Sequence, residues 1–330
     1  NSSKLVSSKQ QKISLVNRRY LRVKVFQSLY SYFRTENPDL QKVERQLFDS
    51  VNELNDLYMY LVALIKEMES VASEILEANK RKQLPSPDDL NPNMRFVENR
   101  VFKVLKDSEE LGLILERAKI SWAEEHDDLR RVFKQFKTED AFILYMTREE
   151  NNIQTDKAII EVLFKEKLGL NEVIHSSLEE KNIFWRDDLP YAALGLIKTI
   201  QGISDEQKVG IGFLADLYKD KKEDQSFAKE LLRKTVDFSS EYGEIIAAKS
   251  DNWETERIAL LDMMLMKMAL TELEHFPTVP VKVTLNEYIE LAKIYSTPKS
   301  KYFINGVLDK LVVEFKKTKR IDKRGRGLVE

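Results

Sequence analysis

The sequence has no cysteine, only ten glycines and eight prolines in 330 residues, and no long apolar run. Without cysteine there are no disulfides, thiolate metal sites or thiol nucleophiles, and a reducing compartment is the simplest setting. No stretch approaches the roughly 20 apolar residues that span a bilayer. The polar start, residues 1–12, lacks the apolar middle of a secretory signal, and without a leading Met it reads as trimmed. The expectation is a cytoplasmic protein with no membrane contact. Phosphate-cradling G-x-x-x-x-G-K-[ST], a G-x-G-x-x-G after a strand and G-x-S-x-G are all absent. His126, His175 and His275 lie far apart with no ligand spacing, and the acidic run around His126 reads as a solvated turn. No enzyme, metal site or cofactor is expected.

Net charge is near zero only on average. Residues 1–34 hold eight Lys/Arg and no acid, and 316–330 hold seven Lys/Arg against two acids. The intervening 35–315 carries 38 basic and 53 acidic residues. Such segregation points to a localised anionic partner. For the C-terminal run alone, a solvated tail is the favoured reading.

With turn formers rare and apolar spacings of three and four dominant, the whole chain reads as helical. Asn17 is placed to cap a helix reaching Arg34. From Asp39 a seven-residue repeat follows. Leu40, Leu47, Leu54, Leu61, Met68 and Ile75 form one seam, while Val43, Leu57, Leu64 and Val71 form the second, with Ser50 the lapse. This predicts a helix of about 40 residues, roughly 60 Å at 1.5 Å per residue, packed lengthwise on its partners. Residues 81–93, with three prolines, read as a linker. Shorter helices are expected near 94–106, 108–123, 126–136, 138–148, 155–168 and 171–181. A turn over 185–190 then leads into a helix ending near Gly202. Further helices are expected near 205–218, 225–237, 239–249, 254–275, 284–296 and 299–317. Trp185 and Trp253 stand at matching distances from the apolar positions of 158–164 and 226–232, an echo better read as chance likeness of amphipathic helices than as a repeat.

Three linked blocks mark the C-terminal part. Trp253, Arg257 and Asp262 open a Met-rich helix reaching Leu273. V-P-V-K-V-T-L-N-E then runs from Val279 to Glu287, and K-Y-F-I-N-G-V-L-D from Lys301 to Asp309. In order and spacing these blocks resemble the NusB family. The opening Arg18-Arg19, Arg22, Gln27 and Leu29-Tyr30 resemble the family's arginine-rich first helix. The likeness covers roughly 18–34 and 225–315 and implies an all-α, NusB-like helical bundle. Residues 1–34 would supply its basic first helix and 205–330 its C-terminal helices, with a basic tail from 316. Between them, 35–204 reads as a helical insert domain containing the long heptad helix.

The resemblance further implies a noncatalytic transcription antitermination or termination factor. It would bind boxA-like single-stranded RNA together with the ribosomal protein NusE and reach the RNA polymerase elongation complex indirectly in ribosomal RNA transcription. The residues themselves support a nucleic-acid reading. Arg18 and Arg22 continue the apolar stripe of Leu21, Val25, Phe26, Leu29 and Phe33, so the helix start should overhang the core and leave guanidiniums open. Arg18, Arg19 and Arg22, with Lys24, are therefore expected to meet RNA, since guanidiniums fork onto phosphates and stack on unpaired bases. Reversing charge at Arg18 and Arg22 is expected to abolish that binding with the fold intact. Lys299 and Lys301, at the start of the last helix, are added as RNA contacts. Tyr30 and Asp262 match positions where the family meets its protein partner. Lys267 stands where the family's long helix usually has arginine. Gly306 is expected to admit a neighbouring helix, Asn305 to bond that neighbour's backbone, and Asn286 and Glu287 to favour their helix's N-terminus. The alternative is a helical protein-interaction scaffold that has lost RNA binding.

Overall fold

The computed structural model describes residues 13–204, 212–250 and 259–324. These form helices α1 (Arg18–Arg34), α2 (Leu40–Lys80), α3 (Pro87–Leu90), α4 (Arg100–Asp107), α5 (Glu109–Ala118), α6 (His126–Phe136) and α7 (Asp140–Thr147). Next come α8 (Ile153–Val162), which widens into a π-helical turn (Leu163–Leu168), α9 (Glu172–Lys181) and α10 (Trp185–Gly202). The chain continues with α11 (Lys221–Asp237), α12 (Ser239–Lys249), α13 (Leu260–His275), α14 (Val281–Tyr295) and α15 (Ser300–Lys317). The fold is all-α. Among the described residues, no helix is long and apolar enough to cross a membrane.

The chain divides into two units. The first gathers 13–16, 52–204 and 212–219, and the second 17–51, 220–250 and 259–324. Helix α2 gives its first turns to the second unit and the rest to the first. Its seam is buried as the heptads require. Leu47, Leu54, Leu57, Leu64, Met68 and Val71 are all fully covered, and Leu40 is half-buried. Ser50, the lapse, turns its hydroxyl back to the Leu47 carbonyl at 2.8 Å.

In the first unit, phenylalanine rings fill the space between α4, α6 and α7, with Phe96 centred 5.1–5.3 Å from Phe102, Phe133 and Phe142. Tyr58 ties down the other end: its hydroxyl lies 2.8 Å from Thr199 Oγ1 and accepts from the Ala215 amide at 3.0 Å. The expected helix at 205–218 is absent over its described part, 212–218. There Asp216 and Leu217 exchange backbone hydrogen bonds with Ile13, Leu15 and Val16 at 2.9–3.0 Å, so these groups are engaged outside any helix. The expected turn at 185–190 is helical. Pro190 lies inside α10, where its missing N–H removes only one ladder bond near the start.

In the second unit α13 is buried almost all round, as a helix this apolar must be. Leu265, Met266, Met268, Ala269, Leu270 and Leu273 are fully covered. Helices α1, α11, α12, α14 and α15 pack against it.

The echo set aside as chance recurs as a repeat of helix ends and caps. Helices α8 and α11 start 68 positions apart, at Ile153 and Lys221, and α9 and α12 end 68 apart, at Lys181 and Lys249. Asn152 and Asp220, in register, are both side-chain N-caps. Asp156 and Asp224, also in register, are both buried, each near the arginine that follows an asparagine cap: Arg100 after Asn99 on α4, Arg18 after Asn17 on α1. Helix α4 packs on α8 and α1 on α11. Few side chains are shared, so the match is legible in caps and helix ends rather than in identities. Trp253 lies outside the described residues.

Candidate functional site

The site is built in the second unit. Asn17 accepts the Tyr20 amide at 2.9 Å and so fixes where α1 begins. That start presents Arg18, Arg19 and Arg22 to acids brought from far along the chain. Arg22 is buried, and its Nε and Nη2 donate to the two carboxylate oxygens of Glu272 at 2.8 and 2.7 Å. Side-chain exposure is 3% for Arg22 and 0% for Glu272. Thr284 and Tyr288 hydroxyls donate to the same carboxylate at 2.9 and 3.1 Å. Burial alone would lower the pKa of Arg22, but the paired bonds to Glu272 outweigh it and hold the guanidinium more firmly protonated. Tyr288 is pushed well up, first by burial and then by the Glu272 charge.

Arg19 forks onto Glu287 at 2.9 and 2.8 Å and keeps 46% of its side chain exposed. These bonds hold the Glu287 carboxyl below the usual range. Arg18 donates to Glu223 at 2.5 Å, lies 3.8 Å from Asp224, and stacks its guanidinium 4.3 Å from the Phe227 ring centre. Its side chain is 34% exposed and that of Glu223 71%.

The expectation of three open guanidiniums therefore needs correcting. Arg22 is inside the protein, and Arg18 and Arg19 are half-exposed but paired. Lys24 is also buried, its amine 5.4 Å from the Tyr20 ring centre. The error lay in judging neutrality locally. Residues 1–34 hold no acid, yet α11, α13 and α14 bring Glu223, Glu272 and Glu287 to them. One signal was available: Glu272 sits in the apolar run M-A-L-T-E-L, and a carboxylate inside a buried helix demands a cation.

Lys299 is exposed and Lys301 half-buried, its amine 4.9 Å from the Tyr302 ring centre. Lys299 lines a groove of about 320 Å³ together with Lys249, Tyr302, Gly306 and Lys310. Contrary to expectation, a side chain at Gly306 would meet nothing within 4 Å, and Asn305 bonds Asp309 on its own helix at 2.9 Å. Glu287 serves Arg19, not the helix end, because α14 begins earlier than read, at Val281. Tyr30 is 44% exposed. Asp262 is buried and accepts from Ser296, which ties α13 to the turn before α15. Lys267 donates to Ser239 at 2.7 Å, and burial lowers its pKa. Among the described residues no three acid or histidine side chains are placed to hold a metal.

The basic run after α15 is not a free tail as far as Arg324. Arg320 bonds Glu241 and Glu274, and the Lys323 amine donates to the Glu272 and Phe276 carbonyls at 3.0 and 2.9 Å. It thus satisfies the end of α13. Burial pushes Lys323 down to about 8. Above about pH 8 the folded chain sheds this proton while the unfolded chain holds it to about 10.4. Unfolded protein binds more protons in that window, so this group makes stability rise with pH there. Lys323→Met is expected to remove that rise in denaturant midpoints measured between pH 8 and 10; an unchanged slope would refute it.

A family model described as the NusB family matches residues 191–313. The chain is 47% identical over 105 residues to the transcription antitermination protein NusB of Salinibacter ruber, which is 32% of this chain and 66% of that protein. It is 48% identical over 85 residues to the protein of the same name from Chloroherpeton thalassium, covering 26% and 40% of the two. With that of Thermodesulfovibrio yellowstonii identity is 36% over 90 residues, 27% and 60%. In each case the chain spans less than two thirds of the relative's length. No solved structure matches. What the chain shares with these proteins is a NusB family domain at residues 191–313.

Proposed function

We propose that the chain is a noncatalytic factor in transcription antitermination that binds boxA-like single-stranded RNA together with NusE. The observation that carries the antitermination role is the 47% identity over 105 residues to a protein named as a transcription antitermination protein. In this reading the basic first helix and the C-terminal helices make the NusB-type part, and the insert between them ends before 191, where the family match begins. In this reading Arg18 and Arg19 are the RNA contacts on α1. Their ion pairs are half-exposed, and such pairs are worth about 0–1 kcal/mol, so phosphates can replace Glu223 and Glu287 at little cost. Arg22 and Lys24, both buried, position the helix instead. Lys299 and Lys301 are further RNA contacts in this reading, beside Tyr302, which is 71% exposed and offers a stacking face. Tyr30 and the α13 start around Asp262 form the NusE side.

Arg18→Glu with Arg19→Glu is expected to weaken boxA RNA binding at least about tenfold and to flatten the salt dependence by about 1.4 in log–log slope, for two lost single-strand phosphates. The melting temperature should hold. Fluorescence anisotropy across a salt series, with and without NusE, reads both. Undiminished affinity in the double variant would take α1 out of the RNA path and leave a protein-interaction scaffold as the better account.

A further inference from the structure

Beside Arg18 lies a cleft of about 600 Å³, walled by the start of α11 and the turn between α13 and α14. Its lining includes Arg18, Glu223, Phe227, Glu230, Phe276 and Val279. Asp220 and Lys222 line it too, so three acids face two cations. A phosphate is therefore poorly suited to its interior. The aromatic floor is the Phe227–Phe276 pair, with ring centres 5.1 Å apart. Arg18 covers Phe227 at 4.3 Å, and its Nη1 is buried without a hydrogen-bond partner. Glu223 is 71% exposed at the mouth, and one of its oxygens already accepts from Arg18 Nη2.

We infer that this cleft is a base-reading pocket for an unpaired guanine, with the base stacked on the outer face of Arg18 and its edge read by Glu223. The inference rests on the RNA-binding reading above and names what one part of that surface selects. A carboxylate only accepts hydrogen bonds, and its two oxygens match two donors side by side. Guanine alone presents such a pair, N1–H next to the N2 amino group, on its Watson–Crick edge. Adenine and cytosine set an acceptor beside their amino donor, and uracil flanks its single N–H with two carbonyls, so each meets repulsion at a carboxylate. Stacking on a guanidinium plane already backed by a ring is a usual way to hold a splayed base. When Glu223 turns to the base, Arg18 keeps Asp224 and Phe227 and gains a free edge for the adjoining phosphate.

The test uses the full chain and labelled oligouridylates of about twelve nucleotides. One carries a single central guanosine, one carries inosine there (guanosine without the 2-amino group), and one is uridine throughout. Guanosine is expected to bind about tenfold more tightly than inosine, the effect of one charge-assisted hydrogen bond. Glu223→Ala should make guanosine and inosine equal, while the all-uridine oligomer binds at least as tightly as to the parent, because Arg18 is released. A Glu223 acting only as a nearby negative charge would instead shift all three oligomers together and leave the preference intact, which overturns the pocket. Equal binding of all three by the parent also overturns it while leaving RNA binding in place. No binding of any oligomer removes the RNA reading and the pocket with it.

Discussion

Arg22→Ala is expected to cost the second unit about 3–5 kcal/mol, the usual penalty for stranding one member of a buried ion pair. Glu272 has no access to water and carries bonds from Arg22, Thr284 and Tyr288. With the guanidinium gone, the Glu272 carboxyl is left in the core with two hydroxyl donors and no cation to pair with it. Arg22→Lys should recover only part of the loss, because an ammonium cannot fork onto both oxygens. Arg22→Met combined with Glu272→Leu should recover most of it, since a buried pair replaced by apolar side chains is often close to neutral. Urea midpoints for the three variants decide the matter. An Arg22→Ala protein within about 1 kcal/mol of the parent would mean that water reaches Glu272 and that the pair is not buried. The same argument separates Arg22 from Arg18. Charge reversal at Arg18 leaves the fold alone, whereas at Arg22 it sets two carboxylates together in the core, so loss of RNA binding there would report unfolding.

That separation was not legible in the sequence, and the reason is physical. Local pattern fixed what depends on neighbours within about one turn or one heptad. The Asn17 cap, the start and end of α1, the buried seam of α2 and the all-α class all follow from spacing alone. The three motif blocks all fall within 191–313, where the NusB family model matches, although Trp253 and Arg257 lie outside the residues the structure describes. The fate of the arginines depends instead on partners 205 to 268 positions away, and no helical wheel holds that. The stretch at 212–218 fails for the same reason: its amphipathic spacing suits a helix, but pairing with 13–16 claims its backbone first. Gly306 shows the opposite limit. A glycine inside a helix invites a packing explanation, yet the space beside it is open, and it borders the lysine and tyrosine groove instead.

The repeat makes a second large effect predictable, and makes it unequal between the two copies. Asp156→Ala is expected to destabilise the first unit by about 2–4 kcal/mol, and Asp224→Ala the second by less than about 1 kcal/mol. The two aspartates hold the same place on their helices, but they carry different loads. Asp156 is 1% exposed and accepts from the Arg100 amide at 3.1 Å, Arg100 Nη1 at 2.7 Å and the Tyr145 hydroxyl at 2.8 Å. Burial first, and then the Asp156 bond and charge, push the Tyr145 pKa up, so its proton stays on and needs an acceptor. Alanine removes the closer acceptor of a buried tyrosine, leaving its hydroxyl the Arg95 carbonyl at 3.3 Å, while Arg100, with 37% of its side chain exposed, can rehydrate. Tyr145→Phe should therefore relieve part of the loss in the Asp156→Ala background, with a coupling energy above about 0.5 kcal/mol in the double-mutant cycle. Asp224 by contrast lies 3.8 Å from Arg18 and, among the described residues, accepts a single 3.4 Å bond from the Asp220 amide, and Arg18 keeps Glu223 when it is lost. Hydrogen exchange resolved to α8 and α11 separates the two units in one protein. Equal losses of protection in both would mean that the shared helix plan, and not the bonds drawn to each carboxylate, sets what this position is worth.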